Sequence, residues 1–98
     1  MSSFKQNVIS VVFDIKHGST LSYGEVAMLA GNPRAARAVG MIARTSQNGS
    51  LPWHRVVRRD GSLAPGFAWG GATQQQLMLE REGVVFSAEK KIVMLQDD

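Results

Sequence analysis

The 98-residue chain contains no cysteine, and that absence removes disulfides, thiolate metal sites and thiol catalysis together. Its two histidines, His17 and His54, stand far apart, without the spacing of a metal site. No metal and no cofactor are expected. No apolar run approaches the roughly eighteen residues of a membrane span, and the opening MSSFKQ has no basic stretch leading into a hydrophobic one of the kind that directs secretion. A soluble, cytoplasmic protein without membrane contact is expected. With 44% hydrophobic residues, the chain can bury one modest core, but not a large cofactor cavity beneath a second layer. Residues 1–98 are therefore read as a single domain, without a dimerisation segment, and a monomer is expected.

Acidic charge is also missing over a long interval. Between Glu25 and Asp60 there is no acidic residue, whereas Arg34, Arg37, Arg44, Arg55, Arg58 and Arg59 all fall there. The net charge of +3 understates this segregation. A guanidinium matches phosphate oxygens with a planar fork, so nucleic acid is the favoured partner. The other reading of the same charges is a basic face that only meets solvent.

Capping signals place the helices. Ser3-x-x-Gln6 is a capping box ahead of Phe4, Val8, Ile9, Val12 and Phe13, apolar residues at helical spacing, and Gly18 stands as the expected end of that helix. Ser22-x-x-Glu25 opens a short second helix that Gly31 ends. Asn32 as cap and Pro33 in the first helical position then start a third, running through Ala35, Ala36, Ala38, Val39 and Met41 towards Arg44. Two short helices joined at Gly31-Asn32 make a helix-turn-helix candidate. The alanines and Gly40 of the third helix let it lie close to a rigid partner, with Arg34 and Arg37 projecting near its positive N-terminus. Tight packing against neighbouring helices is the alternative use of those small residues.

Beyond the polar TSQNGS the period changes. Leu51 to Val57 predicts an extended segment, turning at Asp60-Gly61 and returning through Ser62-Leu63 as a small hairpin or wing. PGFAWGG, Pro65 to Gly71, predicts a loop, and Thr73-x-x-Gln76 caps a fourth helix that Gly83 closes. Val84 to Phe86 and Ile92 to Leu95 are expected to pair as a terminal hairpin.

Taken in order, SYGEVAMLAGNPRAARAVG, PWHRVV, a glycine-rich loop ending in GG and a helix ending EREGV form a specific combination from about Phe4 to Val85. It resembles the DNA-binding domain of the O6-alkylguanine-DNA alkyltransferases, whose motif reads Pro-Cys-His-Arg-Val. Here Trp53 stands in the place of the cysteine, and in that replacement the chain is similar to the alkyltransferase-like subfamily. The resemblance implies a mainly α, winged helix-turn-helix-like DNA-binding domain with a small β-hairpin wing.

The resemblance also implies roles. Arg37 matches the arginine that enters the base stack in place of a flipped nucleotide, and Tyr23 the tyrosine that presses on the neighbouring phosphate. A tyrosine that merely packs at a helix start is the other reading of Tyr23. Arg34, Ala35 and Ala38 belong to the same DNA-binding surface, which in the family enters the minor groove. Pro52, Trp53, His54, Arg55, Gly66, Phe67, Ala68, Trp69 and Glu82 match the lesion pocket and its lid. An indole has no nucleophilic atom comparable to sulfur, so alkyl transfer at position 53 is not expected. His54 and Glu82 are expected to hold the pocket's shape by hydrogen bonding. Trp53 itself has two readings, an apolar surface against an O6-alkyl group or a core residue filling vacated volume. The loop PGFAWGG carries no arginine, unlike some family members, which leaves Phe67 or Trp69 to supply apolar contact.

The expected function is that of a non-enzymatic sensor. It binds O6-alkylguanine in double-stranded DNA, flips the lesion out of the helix and flags it for nucleotide excision repair proteins. The alternatives are a helix-turn-helix transcription regulator, which would prefer a base sequence regardless of damage, and a residual alkyltransferase or a hydrolase using His54.

Overall fold

The computed structural model describes residues 3–46, 49–63, 67 and 69–93. Helix α1, Phe4–Phe13, starts at the expected capping box: the Ser3 hydroxyl accepts from the Gln6 N–H at 3.1 Å, and the Gln6 side chain accepts from the Ser3 N–H at 3.4 Å. It buries Val8 and Val12. The helix stops at Phe13, well short of Gly18. Gly18 serves the following loop instead, where φ is +83° and a Cβ would stand 3.2 Å from the carbonyl oxygen of Glu82. A side chain there is strained by the backbone conformation and tight against that oxygen.

Strand β1, Leu21–Ser22, leads directly into α2, Tyr23–Leu29, whose capping box joins Ser22 to Glu25 at 3.0 and 2.9 Å. Gly31, at φ +105°, turns the chain away. The N–H groups of Gly31 and Asn32 close α2 on the carbonyls of Met28 and Ala27. The next helix, α3, runs over Ala36–Thr45, later than Asn32 and Pro33 predict. Asn32 spends its side chain on a turn: its Oδ1 accepts from the Arg34 N–H at 3.2 Å, and its carbonyl accepts from the Ala35 N–H at 3.1 Å. That local arrangement competes with a helix N-cap. Helices α2 and α3 pack against each other as a helix-turn-helix pair, and α1 packs on both.

The expected extended segment at Leu51 to Val57 is divided. Trp53–Arg55 forms one 3-10 turn, and Val56–Val57 forms β2. Strand β2 pairs in parallel with β1, Leu21 opposite Val56 and Ser22 opposite Val57. This replaces the strands of the expected hairpin wing. The turn at Arg58 to Ser62 does close, through Arg58 N–H to the Ser62 carbonyl and Gly61 N–H to the Arg58 carbonyl, but no return strand follows on Ser62-Leu63. Val56 and Val57 are both buried, and a solvated wing would leave them uncovered, whereas β1 brings them under the helices.

Helix α4, Gly71–Arg81, starts at Gly70 without a side-chain cap, so Thr73 lies within its first turn and does not cap it. It closes as expected at Gly83, with the N–H groups of Gly83 and Val84 on the carbonyls of Glu80 and Leu79. The terminal pairing is present as an antiparallel bridge between Phe86 and Ile92; Leu95 lies outside the described residues. Among the described residues the fold is mainly helical, four α-helices with a small two-stranded sheet. Among the described residues no helix is long and apolar enough to cross a membrane.

The core gathers Val8, Val12, Ile15, Val26, Ala27, Ala30, Val39, Leu51, Trp53 and Val56. Among the described residues two polar side chains are buried, His54 and Gln75; Gln75 of α4 donates from Nε2 to the carbonyls of His54 and Val56, both at 3.0 Å. It ties α4 to the 3-10 turn and to β2. Gln75→Leu orphans both carbonyls, each at about 1–3 kcal/mol, so unfolding in urea is expected to show a loss of roughly 2–4 kcal/mol. A variant as stable as wild type would show that those carbonyls find other donors.

Candidate nucleic-acid interface and base pocket

The structure brings His54, Arg55 and Glu82 together around one carboxylate. His54 Nε2 lies 2.6 Å from Glu82 Oε2. Arg55 grips the same carboxylate with both prongs of its fork, Nε to Oε1 and Nη2 to Oε2, each at 2.9 Å. Its third nitrogen, Nη1, donates to the Ile15 carbonyl at 2.7 Å, and the Gly18 N–H donates to Glu82 Oε1 at 3.1 Å. Burial pushes the Glu82 carboxyl up, but the hydrogen bonds from Arg55, His54 and Gly18 outweigh it and hold the carboxyl at about 2, against an ordinary 4.5. Three segments distant in sequence are thereby fixed: the loop after α1, the 3-10 turn and the end of α4.

Pro52, His54, Arg55, Phe67 and Trp69 line one depression of about 350 Å³, with Phe13 and Met78 on its walls. The Trp69 ring lies over Gly49, where a Cβ would stand 3.6 Å from it. Gly66 and Ala68, predicted for the same lid, lie outside the described residues. Trp53 is placed differently: it is 3% exposed, belongs to the core cluster and donates from its indole nitrogen to the Ser46 hydroxyl at 3.0 Å. It does not line this depression, nor does Glu82, which stands behind His54 and Arg55.

Tyr23, the first residue of α2, is half-buried and packs against the core. Burial raises its hydroxyl pKa, and Arg44 and Arg58 pull the other way, so the phenol stays a hydrogen-bond donor. Arg34 is exposed on the turn before α3, and Arg37 is exposed in the helix's first turn. Ala35 packs towards the core and Ala38 is half-buried, so the small residues are not what α3 presents outermost. At 3.6 residues per turn, Arg37, Met41 and Arg44 fall within an arc of about 60°, and all three are exposed. None of Arg34, Arg37, Arg44, Arg58 and Arg59 forms an ion pair among the described residues. Met41 and Arg44 join Arg37 on this exposed arc, and their i, i+4, i+7 relation to Arg37 is the signal in the sequence. Sequence reasoning overlooked Gln75, although a glutamine four residues before the buried Leu79 marks a polar group on an apolar face.

The family model described as the DNA-binding domain of 6-O-methylguanine DNA methyltransferase matches residues 3–84. The chain belongs to this family. Within it, similarity extends to a protein named DNA base-flipping protein of Escherichia coli, 42% identical over 91 residues, 92% of this chain and 69% of that one. A methylated-DNA–protein-cysteine methyltransferase of Mus musculus is 45% identical over 71 residues, but those are 71% of this chain and only 33% of the enzyme. Among solved structures, Schizosaccharomyces pombe Atl1, in complex with damaged DNA containing O6-carboxymethylguanine, superposes with a TM-score of 0.77 at 30% identity, over 94% of this chain and 90% of that one. The chain stands with the alkyltransferase-like members of the family, with Trp53 in the motif PWHRVV.

Two outcomes test this site. Because the folded-state pKa of Glu82 is depressed, its network contributes stability that is complete above about pH 4.5 and is lost as pH falls towards 2. Glu82→Gln is expected to cost about 3 kcal/mol near neutrality, by leaving Arg55 uncompensated, and to flatten the acid limb of a urea-denaturation series run from pH 6 to pH 2. An unchanged acid limb would remove Glu82 from the account. Trp53→Cys is expected to cost about 3 kcal/mol by emptying core volume. Mass spectrometry should show weak or no methyl transfer to the new thiol from an O6-methylguanine oligonucleotide; efficient transfer would contradict this.

Proposed function

We propose that this chain is a non-enzymatic damage sensor that recognises O6-alkylguanine in duplex DNA. The observation that carries the reading is the intact frame of His54, Arg55 and Glu82 around a motif whose reactive position holds a tryptophan. The part-buried bonds of that frame fix the shape of the pocket wall, while the chain offers no thiol to accept an alkyl group. The names of the relatives, a base-flipping protein and a protein solved on damaged DNA, support the same reading.

In this account α3 enters the minor groove and Arg37 occupies the stack position vacated by the lesion. Its guanidinium can stack on bases and satisfy the orphaned partner, offsetting the few kcal/mol that extrusion costs. Tyr23 donates its hydroxyl to the adjacent backbone phosphate, with Arg44 and Arg58 beside it. The extruded base enters between Pro52 and the lid residues Phe67 and Trp69, where aromatic faces hold its alkyl group by dispersion. Trp53 closes the core beneath the motif. The product is a bound, distorted duplex, which nucleotide excision repair proteins then take over.

Titration of matched duplexes carrying guanine or O6-methylguanine tests the reading. Wild type should bind both in a salt-dependent way and prefer the lesion. Arg37→Ala and Tyr23→Ala should reduce that preference by roughly tenfold or more, given the energy needed for flipping. A preference that survives both substitutions unchanged would show that the lesion is not read by extrusion.

A further inference from the structure

We infer that Met41 is a DNA-contacting residue, the apolar contact of α3 against the C–H edges of deoxyribose and bases inside the groove. The inference rests on duplex DNA being the ligand, as proposed above, and assigns a side chain that the recognition of the lesion does not use. Met41 is 60% exposed. It lies one turn after Arg37 and three residues before Arg44, on the outermost arc of α3. A Cβ on Gly40 would stand 3.7 Å from Nη1 of Arg44, so the guanidinium lies along the bare flank of the helix beside Met41. The interface is therefore a strip of guanidinium, thioether and guanidinium.

That strip has a specific complement. The chain carries no acidic residue from Val26 to Arg59, and neither Arg37 nor Arg44 is ion-paired among the described residues, so the strip suits a polyanion. A thioether gains nothing from phosphate oxygens. Between the two phosphate rows of a duplex, however, the groove walls are apolar sugar edges, and wedging apolar side chains there is a recurrent use of minor-groove proteins. Methionine is unbranched and polarisable, and it adapts to such a surface without a fixed shape. If Arg37 enters the groove, Met41 cannot remain outside it, because both lie on the same face.

The contribution of such a contact is independent of salt and of damage. With undamaged duplex and the same duplex carrying one O6-methylguanine, Met41→Ala and Met41→Gln should weaken binding to both by roughly five- to tenfold, the scale of one lost apolar side-chain contact. Met41→Leu should bind close to wild type. The slope of log affinity against log salt should not change in the Met41 variants, whereas Arg44→Gln should lower its magnitude by about one. A second readout is direct. Hydrogen peroxide transfers one oxygen atom to the thioether, giving the sulfoxide and water; Met41 should be oxidised in the free protein and protected on DNA. Met28, comparably exposed at 56% on α2, should oxidise equally in both.

Binding within twofold of wild type for Met41→Ala and Met41→Gln on both duplexes would overturn the inference. So would oxidation of Met41 at equal rates with and without DNA, or equal protection of Met28. If wild type bound both duplexes equally and the Met41 pattern persisted, lesion recognition alone would fall. If wild type bound neither duplex, both readings would fall together.

Discussion

The carboxylate of Glu82 accepts hydrogen bonds from Arg55, His54 and the Gly18 backbone, and so joins the loop after α1, the 3-10 turn and the end of α4. An ionised carboxylate partly withdrawn from water is costly unless its lone pairs are filled. Here they are filled by the Gly18 N–H from the loop after α1 and by His54 and Arg55 from the 3-10 turn, while Arg55 also donates from Nη1 to the Ile15 carbonyl. Glycine at position 18 is part of the same constraint, since its N–H must reach Oε1 while its α-carbon passes close to the Glu82 backbone. Gln75 adds a second clamp on the inner side of the turn. The 3-10 turn is thus held from both sides, and β2 leaves it in register with β1.

A site held this firmly has a meaning that does not depend on catalysis. A frame that orients a histidine serves a nucleophile where one exists, yet the same bonds also fix the shape of the wall against which a base is judged. This chain has no cysteine for the first use, and the proposed function rests on the second. Trp53 belongs to the core and is anchored at its polar end on Ser46, so the replacement is structural in effect: it fills volume beneath the motif and rigidifies the segment carrying Pro52 and His54. In the proposed reading, affinity comes from the basic strip of α3, and discrimination from what the depression will admit.

Local signals were legible in the sequence, and contacts between distant segments were not. The capping boxes at Ser3 and Ser22 and the closure at Gly83 involve residues a few positions apart, and each is found as the spacing predicts. The start of α3 was misplaced because Asn32 has two local uses, a helix cap or a side-chain turn, and the sequence does not say which prevails. Thr73 failed as a cap for a related reason, since Gly70 had already turned the chain into α4. The parallel pairing of Leu21–Ser22 with Val56–Val57 joins segments far apart in the chain, and nothing local in VV distinguishes it from a hairpin arm. In the candidate site, the pairing of His54 with Glu82 was implied by family resemblance and not by spacing. The grip of Arg55 on the same carboxylate appeared only in three dimensions.

The central claim is that this domain holds an alkylated base without altering it. The most direct test incubates excess protein with a duplex carrying one O6-methylguanine, confirms by gel shift that the duplex is bound, and then weighs both the DNA strands and the protein. The account predicts a fully bound duplex, with the methyl group still on guanine and the protein mass unchanged. A demethylated strand, or a protein heavier by one methyl group, would contradict it.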